Sequence, residues 1–253
     1  MSTGDKQRTA AVIVAAGKGM RMGASVPKQY LKLAGQPILR HTVSAFEASK
    51  VDDIIIVCPN GDEEYVRDTI IAADNFRKIR AVIPGGGERF DSSWCGIRAA
   101  AALEPAPGVI LIHDGVRALI EPELINSVIS ALDTYDACCP AVRVKDTIRR
   151  IGPDGYSCGT IAREELRAIQ TPQGFRTDVI LTAYREMENV QQTSDVQHEQ
   201  ASCRPLTGIT DDAMLVECYT STRVYLIDGD EHNIKITTPE DMLLAETIIE
   251  KRM

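Results

Sequence analysis

Residues 11–23 read AVIVAAGKGMRMG, so an apolar run over residues 11–15 ends directly in a glycine-containing turn. The run is β-branched and nearly continuous, which is typical of a strand covered on both faces. Similar runs recur at residues 53–58 (DIIIVC), 79–83 (IRAVI) and 109–112 (VILI). These segments predict the strands of a buried parallel sheet.

Helix-like segments alternate with these strands. They are predicted over residues 38–49, 62–73, 92–103 and 122–132. A repeated β-α order favours right-handed crossovers and a parallel sheet with helices on both faces. We therefore expect one α/β domain over residues 1–253, a Rossmann-like and mostly parallel sheet, with ligands bound beyond the carboxyl ends of the strands.

The α/β rhythm breaks near residue 141. Residues 141–150 and 156–163 flank Pro153-Asp154-Gly155, which is a strong turn signal. This pattern predicts a β-hairpin that projects from the body as an arm over residues 141–166.

The last part of the chain mixes loop and α/β signals. The polar stretch 189–207 predicts a long surface loop. Strands are predicted at residues 222–227 and 233–237. A helix is expected to begin at Thr238-Pro239, because proline is favoured in the first helical turn.

Composition excludes several classes of protein. The 253 residues carry a net charge of −8, which disfavours binding to nucleic acid or to anionic membranes. No apolar run approaches the ~20 residues of a membrane span, and the polar start MSTGDKQR does not resemble a signal peptide. The seven cysteines are scattered without a CxxC pair, as expected for reduced thiols in a cytoplasmic protein.

The turn after the first strand has the chemistry of a phosphate site. Gly17 and Gly19 leave backbone N–H groups open to phosphate oxygens. Arg21 and Lys28 add positive charge suited to a triphosphate. The spacing fits neither a Walker A loop nor the GxGxxG dinucleotide fingerprint, which would require glycine where Met22 stands.

The segments AAGKGMRMG and PKQYL together resemble the signature of the sugar-phosphate nucleotidyltransferases. Their spacing is similar to that of the 2-C-methyl-D-erythritol 4-phosphate cytidylyltransferases of non-mevalonate isoprenoid biosynthesis. The resemblance continues from about residue 10 to residue 250. It implies a Mg²⁺-dependent transfer of CMP from CTP to a polyol phosphate by a homodimer whose arms exchange between subunits.

Gly85-Gly86-Gly87 and Ser92 form a second candidate element. Three glycines let the backbone lie flat against a planar base, and the Ser92 hydroxyl is suited to hydrogen-bond its edge. By resemblance this loop reads cytosine. Many members of the family have Asp where Gly87 stands. If that side chain contributes to base selection, this protein lacks the contribution; if only the backbone does, nothing is lost.

The sequence HDGVR at residues 113–117 is the third element. Asp114 is expected to orient the ribose or to help position Mg²⁺, and Arg117 to contact the second substrate. The family usually reads HDAARP, so Gly115 and Ala118 are departures. His113 is interpreted as a packing residue at a strand end.

The resemblance assigns the remaining roles. It implies a CTP site made of Ala15, Ala16, Gly17, Gly19, Gly86, Gly87, Ser92, Asp114 and Gly115. It implies catalytic roles for Arg21, Lys28, Arg163 and Lys235, and acceptor contacts from Arg117, Thr147, Arg163, Thr171 and Lys235. Asp211 and Asp212 match a helix start and are expected to act mainly as an N-terminal cap.

Three alternatives remain open at this point. A ribitol-5-phosphate cytidylyltransferase shares the PKQ and NIKIT segments, whereas the pattern of Thr147 and Arg163 favours methylerythritol phosphate. A non-catalytic nucleotide-binding protein on the same fold would not need to keep Arg21, Lys28 and Lys235. A nicotinamide-dependent oxidoreductase is disfavoured by the failed GxGxxG pattern.

Overall fold

The structure is a computed structural model that describes residues 7–17, 26–72, 75–192 and 208–252. The first half of the chain alternates strands and helices as expected. Its elements are β1 (Thr9–Val14), β2 (Lys32–Leu33), β3 (Gln36–Pro37), α1 (Ile38–Ala48), β4 (Asp53–Cys58), α2 (Glu63–Tyr65), a π-helical turn (Val66–Ile71), β5 (Ile79–Pro84), α3 (Arg89–Ala101), β6 (Val109–Asp114) and α4 (Pro122–Ala131).

The second half adds antiparallel pairing. Its elements are β7 (Ala137–Arg143), β8 (Arg149–Ile151), β9 (Ser157–Thr160), β10 (Arg167–Ile169), β11 (Gln173–Arg176), α5 (Thr177–Gln192), α6 (Asp212–Tyr219), β12 (Tyr225–Asp228) and α7 (Pro239–Arg252).

Parallel pairing dominates the central sheet. In order, its strands are β12, β7, β11, β6, β1, β4 and β5, with β10 continuing the line of β11 along β7. The pairs of β1 with β4, β1 with β6, β4 with β5, and β12 with β7 are parallel, and β11 runs antiparallel to both of its neighbours. The predicted Rossmann-like, mostly parallel α/β sheet is therefore confirmed.

Both faces of the sheet are covered, which explains the continuous apolar runs. All residues of β4 and β6 are buried. On one face Ile13 belongs to a cluster with Phe46 of α1 and Val128 of α4. On the other face Val12 packs with Ile97 of α3, and the same cluster includes residues of α5 and α6. A strand buried on both sides has no polar face, so its sequence does not alternate.

Several predicted boundaries were wrong. The helix expected over residues 62–73 is a short α-helix followed by the π-helical turn, and α3 begins at Arg89, before residue 92. The polar stretch from residue 189 continues α5 as far as Gln192, and residues 193–207 lie outside the described residues. A polar sequence on the exposed side of a helix looks like a loop when it is read alone.

The strand expected over residues 233–237 is also wrong, because this segment is a loop. The Asn233 amide donates to the Asp230 carbonyl and the Ile234 amide to the His232 carbonyl, which are turn contacts. The Ile236 amide donates to the Val116 carbonyl. The apolar alternation of NIKIT therefore reflects contacts with the body of the protein, and not a sheet ladder.

The predicted hairpin exists but is shorter than expected. β8 and β9 pair antiparallel around the turn at Gly155, whose φ is 82°. Residues 141–143 instead end β7 in the central sheet. Ile151 and Tyr156 on the hairpin are exposed. Within the described part of the chain, no helix is both long enough and apolar enough to cross a membrane.

Candidate active site

Asp114 lies at the carboxyl end of β6 and is the centre of a charged cluster. Its Oδ2 is 2.9 Å from Lys235 Nζ and 3.8 Å from Arg117 Nε, and its Oδ1 is 3.2 Å from Arg89 Nε. Burial alone would raise the pKa of Asp114, but Arg89, Lys235 and Arg117 outweigh it and hold the pKa well below its usual range. The carboxylate is therefore ionised at neutral pH.

The loop that carries Lys235 is fastened to the body on both sides of the lysine. Arg117 Nη1 donates to the Asn233 carbonyl at 2.7 Å, and Asn233 Nδ2 donates to the Thr171 carbonyl at 2.9 Å. After the lysine, the Asp241 carboxylate accepts from the Thr237 amide and hydroxyl, each at 2.8 Å. These contacts place a flexible side chain on a fixed backbone.

Thr171 connects this loop with β6. Its Oγ1 accepts from the Asp114 amide at 3.1 Å and lies 3.0 Å from His113 Nδ1. His113 is fully buried and its ring lies 5.0 Å from that of Phe46. Burial lowers the pKa of His113 to about 3, so the imidazole is neutral at pH 7, and its contact with Phe46 agrees with its interpretation as a packing residue.

The glycine loop after β5 packs closely against the start of α3. Ser92 Oγ accepts from the Gly86 amide at 3.1 Å and donates to the Glu88 carbonyl at 3.0 Å. A Cβ at Gly85 would lie 2.5 Å from Ala16 Cβ, so the loop is pressed against the end of β1. Ser92 thus holds the loop here, and its contact with cytosine stays a prediction.

A cavity of about 190 Å³ opens at this edge of the sheet. Its lining includes Arg89, Asp114, Arg117, Gln170, Thr171 and Lys235. Three basic side chains line it against the carboxylates of Asp114 and Asp211, so the cavity is suited to a phosphorylated ligand although the whole chain is acidic. This is the local basic cluster that a phosphate site in such a protein requires.

Thr147 and Arg163 lie apart from this cavity. Arg163 Nη2 donates to Thr147 Oγ1 at 3.3 Å, and both side chains are exposed. Arg163 instead lines a cavity of about 200 Å³ with Arg143 at the end of β7 and Arg167 at the start of β10.

The first glycine loop is described only in part. Ala15 is buried and its amide donates to the Val57 carbonyl at 2.7 Å, while Lys28 is half-buried in a 3₁₀ turn over Lys28–Tyr30. Gly19 and Arg21 lie outside the described residues. Their predicted contacts with the triphosphate stay predictions.

Comparison with known proteins decides the family. The sequence model described as "IspD: 2-C-methyl-D-erythritol 4-phosphate cytidylyltransferase" matches residues 9–251. A relative of that name from Pelotomaculum thermopropionicum is 42% identical over 246 residues, covering 97% of this chain and 95% of its own. This chain belongs to the 2-C-methyl-D-erythritol 4-phosphate cytidylyltransferase family.

Other members agree in sequence and in structure. A cytidylyltransferase of the same name from Lachnoclostridium phytofermentans is 39% identical over 243 residues, covering 96% of this chain and 97% of its own. The crystal structure of 4-diphosphocytidyl-2C-methyl-D-erythritol synthase from Anaerococcus prevotii superposes with a TM-score of 0.80 at 30% identity, covering 97% of both chains. The resemblance found in the sequence motifs is confirmed.

Two important side chains were missed when family roles were assigned from sequence. Arg89 joins Asp114 to Asp212, since its Nη1 lies 2.8 Å from Asp212 Oδ2. Asp211 and Asp212 were both expected to cap α6, and it is Asp211 that does so by accepting from the Met214 amide at 2.8 Å. The side chain of Asp212 is 1% exposed and pairs with the arginine. Its place beside a true cap residue concealed this role.

Asp114 is the one predicted metal ligand. In the described residues, no group of three or more His, Cys, Asp or Glu side chains is arranged to hold a metal ion. An ionised carboxylate beside a cavity lined by basic side chains does fit Mg²⁺, which is usually held by one or two carboxylates together with substrate phosphates and water. The donor set thus fits a metal carried mainly by the nucleotide.

Proposed function

We propose that this protein transfers CMP from CTP to 2-C-methyl-D-erythritol 4-phosphate, giving 4-diphosphocytidyl-2-C-methyl-D-erythritol and pyrophosphate. The observation that carries the proposal is the Asp114 cluster, in which Arg89, Arg117 and Lys235 meet at the carboxyl end of β6. The chain belongs to the family named for this activity and matches its model over residues 9–251.

The reaction needs charge stabilisation more than proton transfer. A phosphate monoester has a second pKa of about 6, so the acceptor is already largely dianionic at pH 7 and needs no general base. One of its oxygens attacks the α-phosphorus of CTP, a new P–O bond forms, and the bond to the β-phosphate breaks. Pyrophosphate leaves with the electron pair.

Different residues act on CTP and on the acceptor phosphate. Arg21 and Lys28 stabilise the extra negative charge at the α-phosphorus and on pyrophosphate. Lys235 and Arg163 hold the acceptor phosphate in line with the bond that breaks, while Arg117 and Thr171 line its path. Ala15, Ala16, Gly17, Gly19 and the loop of Gly86, Gly87 and Ser92 hold the nucleotide, and Asp114 and Gly115 face its ribose.

Mg²⁺ is the proposed cofactor. When bound, it neutralises phosphate charge and polarises the α-phosphoryl group. Asp114 is the carboxylate that would hold it, with the CTP phosphates as the other ligands.

The hairpin arm is proposed to complete the site of a second subunit. Thr147 and Arg163 are hydrogen-bonded to each other, and Arg163 lines a cavity separate from the one around Asp114. A two-stranded hairpin is marginal alone in water, and exposed Ile151 and Tyr156 offer it an apolar surface. A two-fold homodimer with exchanged arms would bring Arg163 to its partner's site.

The sequence and the site also bear on the localisation of the protein and on the competing functions. Cytoplasmic localisation is favoured by the scattered cysteines, which form no CxxC pair in the sequence, because thiols persist in a reducing compartment. Ribitol 5-phosphate is the competing acceptor. Lys235 aimed into the charged cavity argues against a protein that only binds nucleotide.

The product identifies the reaction. The purified protein is incubated with CTP, methylerythritol phosphate and Mg²⁺, and the mixture is followed by ³¹P NMR. The proposal predicts a pair of coupled diphosphate-diester resonances that grows in step with pyrophosphate. Release of phosphate or CDP without a diphosphate diester would contradict it.

A further inference from the structure

Below the Asp114 cluster lies a chain of contacts to which the proposed reaction assigns no role. The Tyr184 hydroxyl donates to Asp212 Oδ1 at 2.6 Å, and Arg89 Nη1 donates to Asp212 Oδ2 at 2.8 Å. The same guanidinium donates through Nε to Asp114 Oδ1 at 3.2 Å. A buried tyrosine is thus connected to the site through one carboxylate and one arginine.

Tyr184, at the end of this series of contacts most distant from Asp114, is held in place by packing and hydrogen bonds. Tyr184 is fully buried and stacks on Trp94, with ring centroids 4.9 Å apart and ring planes 6° apart. Trp94 Nε1 donates to Glu188 Oε1 at 2.6 Å, one turn along α5 from Tyr184. Asp212 stands at the start of α6, whose backbone is fixed by the cap of Asp211.

Arg89 is the member of this series of contacts that reaches Asp114. Arg89 lies at the start of α3 and is 28% exposed, lining the cavity that contains Asp114. Lys235 and Arg117 hold Oδ2 of Asp114, so among the ion pairs of the described residues only Arg89 holds Oδ1. A planar guanidinium can bind two carboxylates in a fixed geometry, which a lysine ammonium cannot do.

The charge of Asp212 is difficult to explain by packing alone. Its side chain is 1% exposed, and burying a carboxylate among apolar helices is unfavourable unless it is paired and hydrogen-bonded. Replacing a buried ion pair with apolar side chains is often neutral or stabilising. A charge kept at this position therefore points to a role in orienting its partner.

We propose that Asp212 and Tyr184 are positioning residues: they orient Arg89, and Arg89 fixes the Asp114 carboxylate toward CTP. This inference rests on the proposed cytidylyltransferase function. It extends the site to α5 and α6, whose residues do not line the Asp114 cavity except at the Asp211 cap.

The test is a double-mutant cycle between Asp212 and Arg89, measured as kcat/KM for CTP and as the Kd of CTP with Mg²⁺ by calorimetry. Asp212→Asn keeps the shape but removes the charge, and should lower kcat/KM about ten- to a hundredfold, as for loss of one charged hydrogen bond. In the background of Arg89→Gln, Asp212→Asn should lower kcat/KM by less than about twofold, because the arginine that Asp212 positions is gone.

Two further variants supply a second probe of the same contacts and a control. Tyr184→Phe removes only the hydroxyl and should lower kcat/KM about three- to tenfold, even where Asp212→Asn fails to fold. Glu188→Gln lies on the same helix and keeps an acceptor for Trp94, so it should stay within about twofold of the wild-type value. Far-ultraviolet circular dichroism checks that each variant is folded, because Trp94 contacts Tyr184 and Glu188 and its emission would respond to these substitutions directly.

The outcomes are distinguishable. Equal losses from Asp212→Asn with Arg89 present or replaced, or wild-type kinetics in folded Asp212→Asn and Tyr184→Phe variants, would overturn the positioning role. A wild-type protein that makes no diphosphate diester would contradict the proposed function instead. In that case the CTP Kd cycle would still decide whether Asp212 acts through Arg89.

Discussion

Lys235 Nζ lies 2.9 Å from Asp114 Oδ2, so the lysine proposed to hold the acceptor phosphate is already paired with a buried carboxylate. The pair joins the loop before α7 to the end of β6. An incoming dianionic phosphate must share this lysine with Asp114 or take it over. The ion pair keeps Lys235 in place before the acceptor arrives, which reduces the ordering needed on binding.

Replacing Lys235 should therefore affect the acceptor more than the nucleotide. Lys235→Ala is expected to lower kcat/KM for methylerythritol phosphate about 10²–10³-fold, the loss typical of one charge-stabilising contact. Steady-state kinetics with CTP saturating measures this loss. Lys50→Ala, at an exposed lysine after α1, is the matched control. An equal loss in both variants, or a change confined to the KM for CTP, would show that Lys235 does not hold the acceptor.

The glycine loop gives a prediction about stability. A Cβ at Gly86 would lie 2.2 Å from Asp91 Cβ, whereas a Cβ at Gly87 would meet only Asp91 Oδ2 at 3.6 Å. Gly86→Ala should therefore lower the free energy of unfolding by about 1–3 kcal/mol through overpacking. Gly87→Ala should change it by less than about 1 kcal/mol. Urea unfolding of both variants measures the difference, and equal destabilisation would refute this account of the loop.

Much of the fold could be predicted because its strands are buried on both faces. The runs at residues 53–58 and 109–112 became β4 and β6 with little change, since burial leaves no polar positions to confuse the pattern. The strand prediction for residues 233–237 was wrong because Ile234 and Ile236 are apolar while the segment packs on the body of the protein as a loop. Local periodicity does not distinguish these two cases.

The site could be predicted only where residues are close in sequence. Asp114 and Arg117 share one motif, and the family resemblance supplied Lys235. The pairing of Arg89 with Asp212 joins residues 123 positions apart, and a single sequence holds no signal for it. The cap at Asp211 also gave the neighbouring acid an obvious but wrong explanation.

A buried ion pair at the opposite edge of the sheet predicts how stability depends on pH. Asp53 is fully buried and accepts from Arg8 and Arg80, each at 2.6 Å. The hydrogen bond from Arg8, together with Arg80, lowers the pKa of Asp53 despite its burial. A lowered pKa means that the stabilisation is complete above the unfolded pKa of about 3.9 and is lost as pH falls through the folded pKa.

Asp53→Asn should therefore lower the free energy of unfolding by about 1–3 kcal/mol at pH 7. The difference in the free energy of unfolding between wild type and Asp53→Asn should shrink as pH falls from about 5 to about 3. Urea unfolding across this range measures it, with Asp133→Asn at an exposed turn as the control. A gap that stays constant or widens toward pH 3 would contradict the assignment.

Subunit mixing tests the exchanged arm. Lys28→Ala and Arg163→Ala subunits, each with low activity, are dissociated, mixed in equal amounts and reassociated. If Arg163 acts in its partner's site, each mixed dimer holds one intact site. Random pairing makes about half of the dimers mixed, so about a quarter of all sites should recover. No recovery, with mixed dimers verified by mass spectrometry, would place Arg163 in the site of its own chain.

The most direct test of the central claim is the rate of pyrophosphate release with CTP and Mg²⁺ across a panel of acceptors. The account predicts the highest kcat/KM with 2-C-methyl-D-erythritol 4-phosphate, a lower value with ribitol 5-phosphate, and no release above background without an acceptor. Substituting ATP or GTP for CTP should nearly abolish release, because the Gly85–Gly87 loop is proposed to fit only a small base. Equal rates with purine nucleotides, or a preference for ribitol 5-phosphate over methylerythritol phosphate, would contradict it.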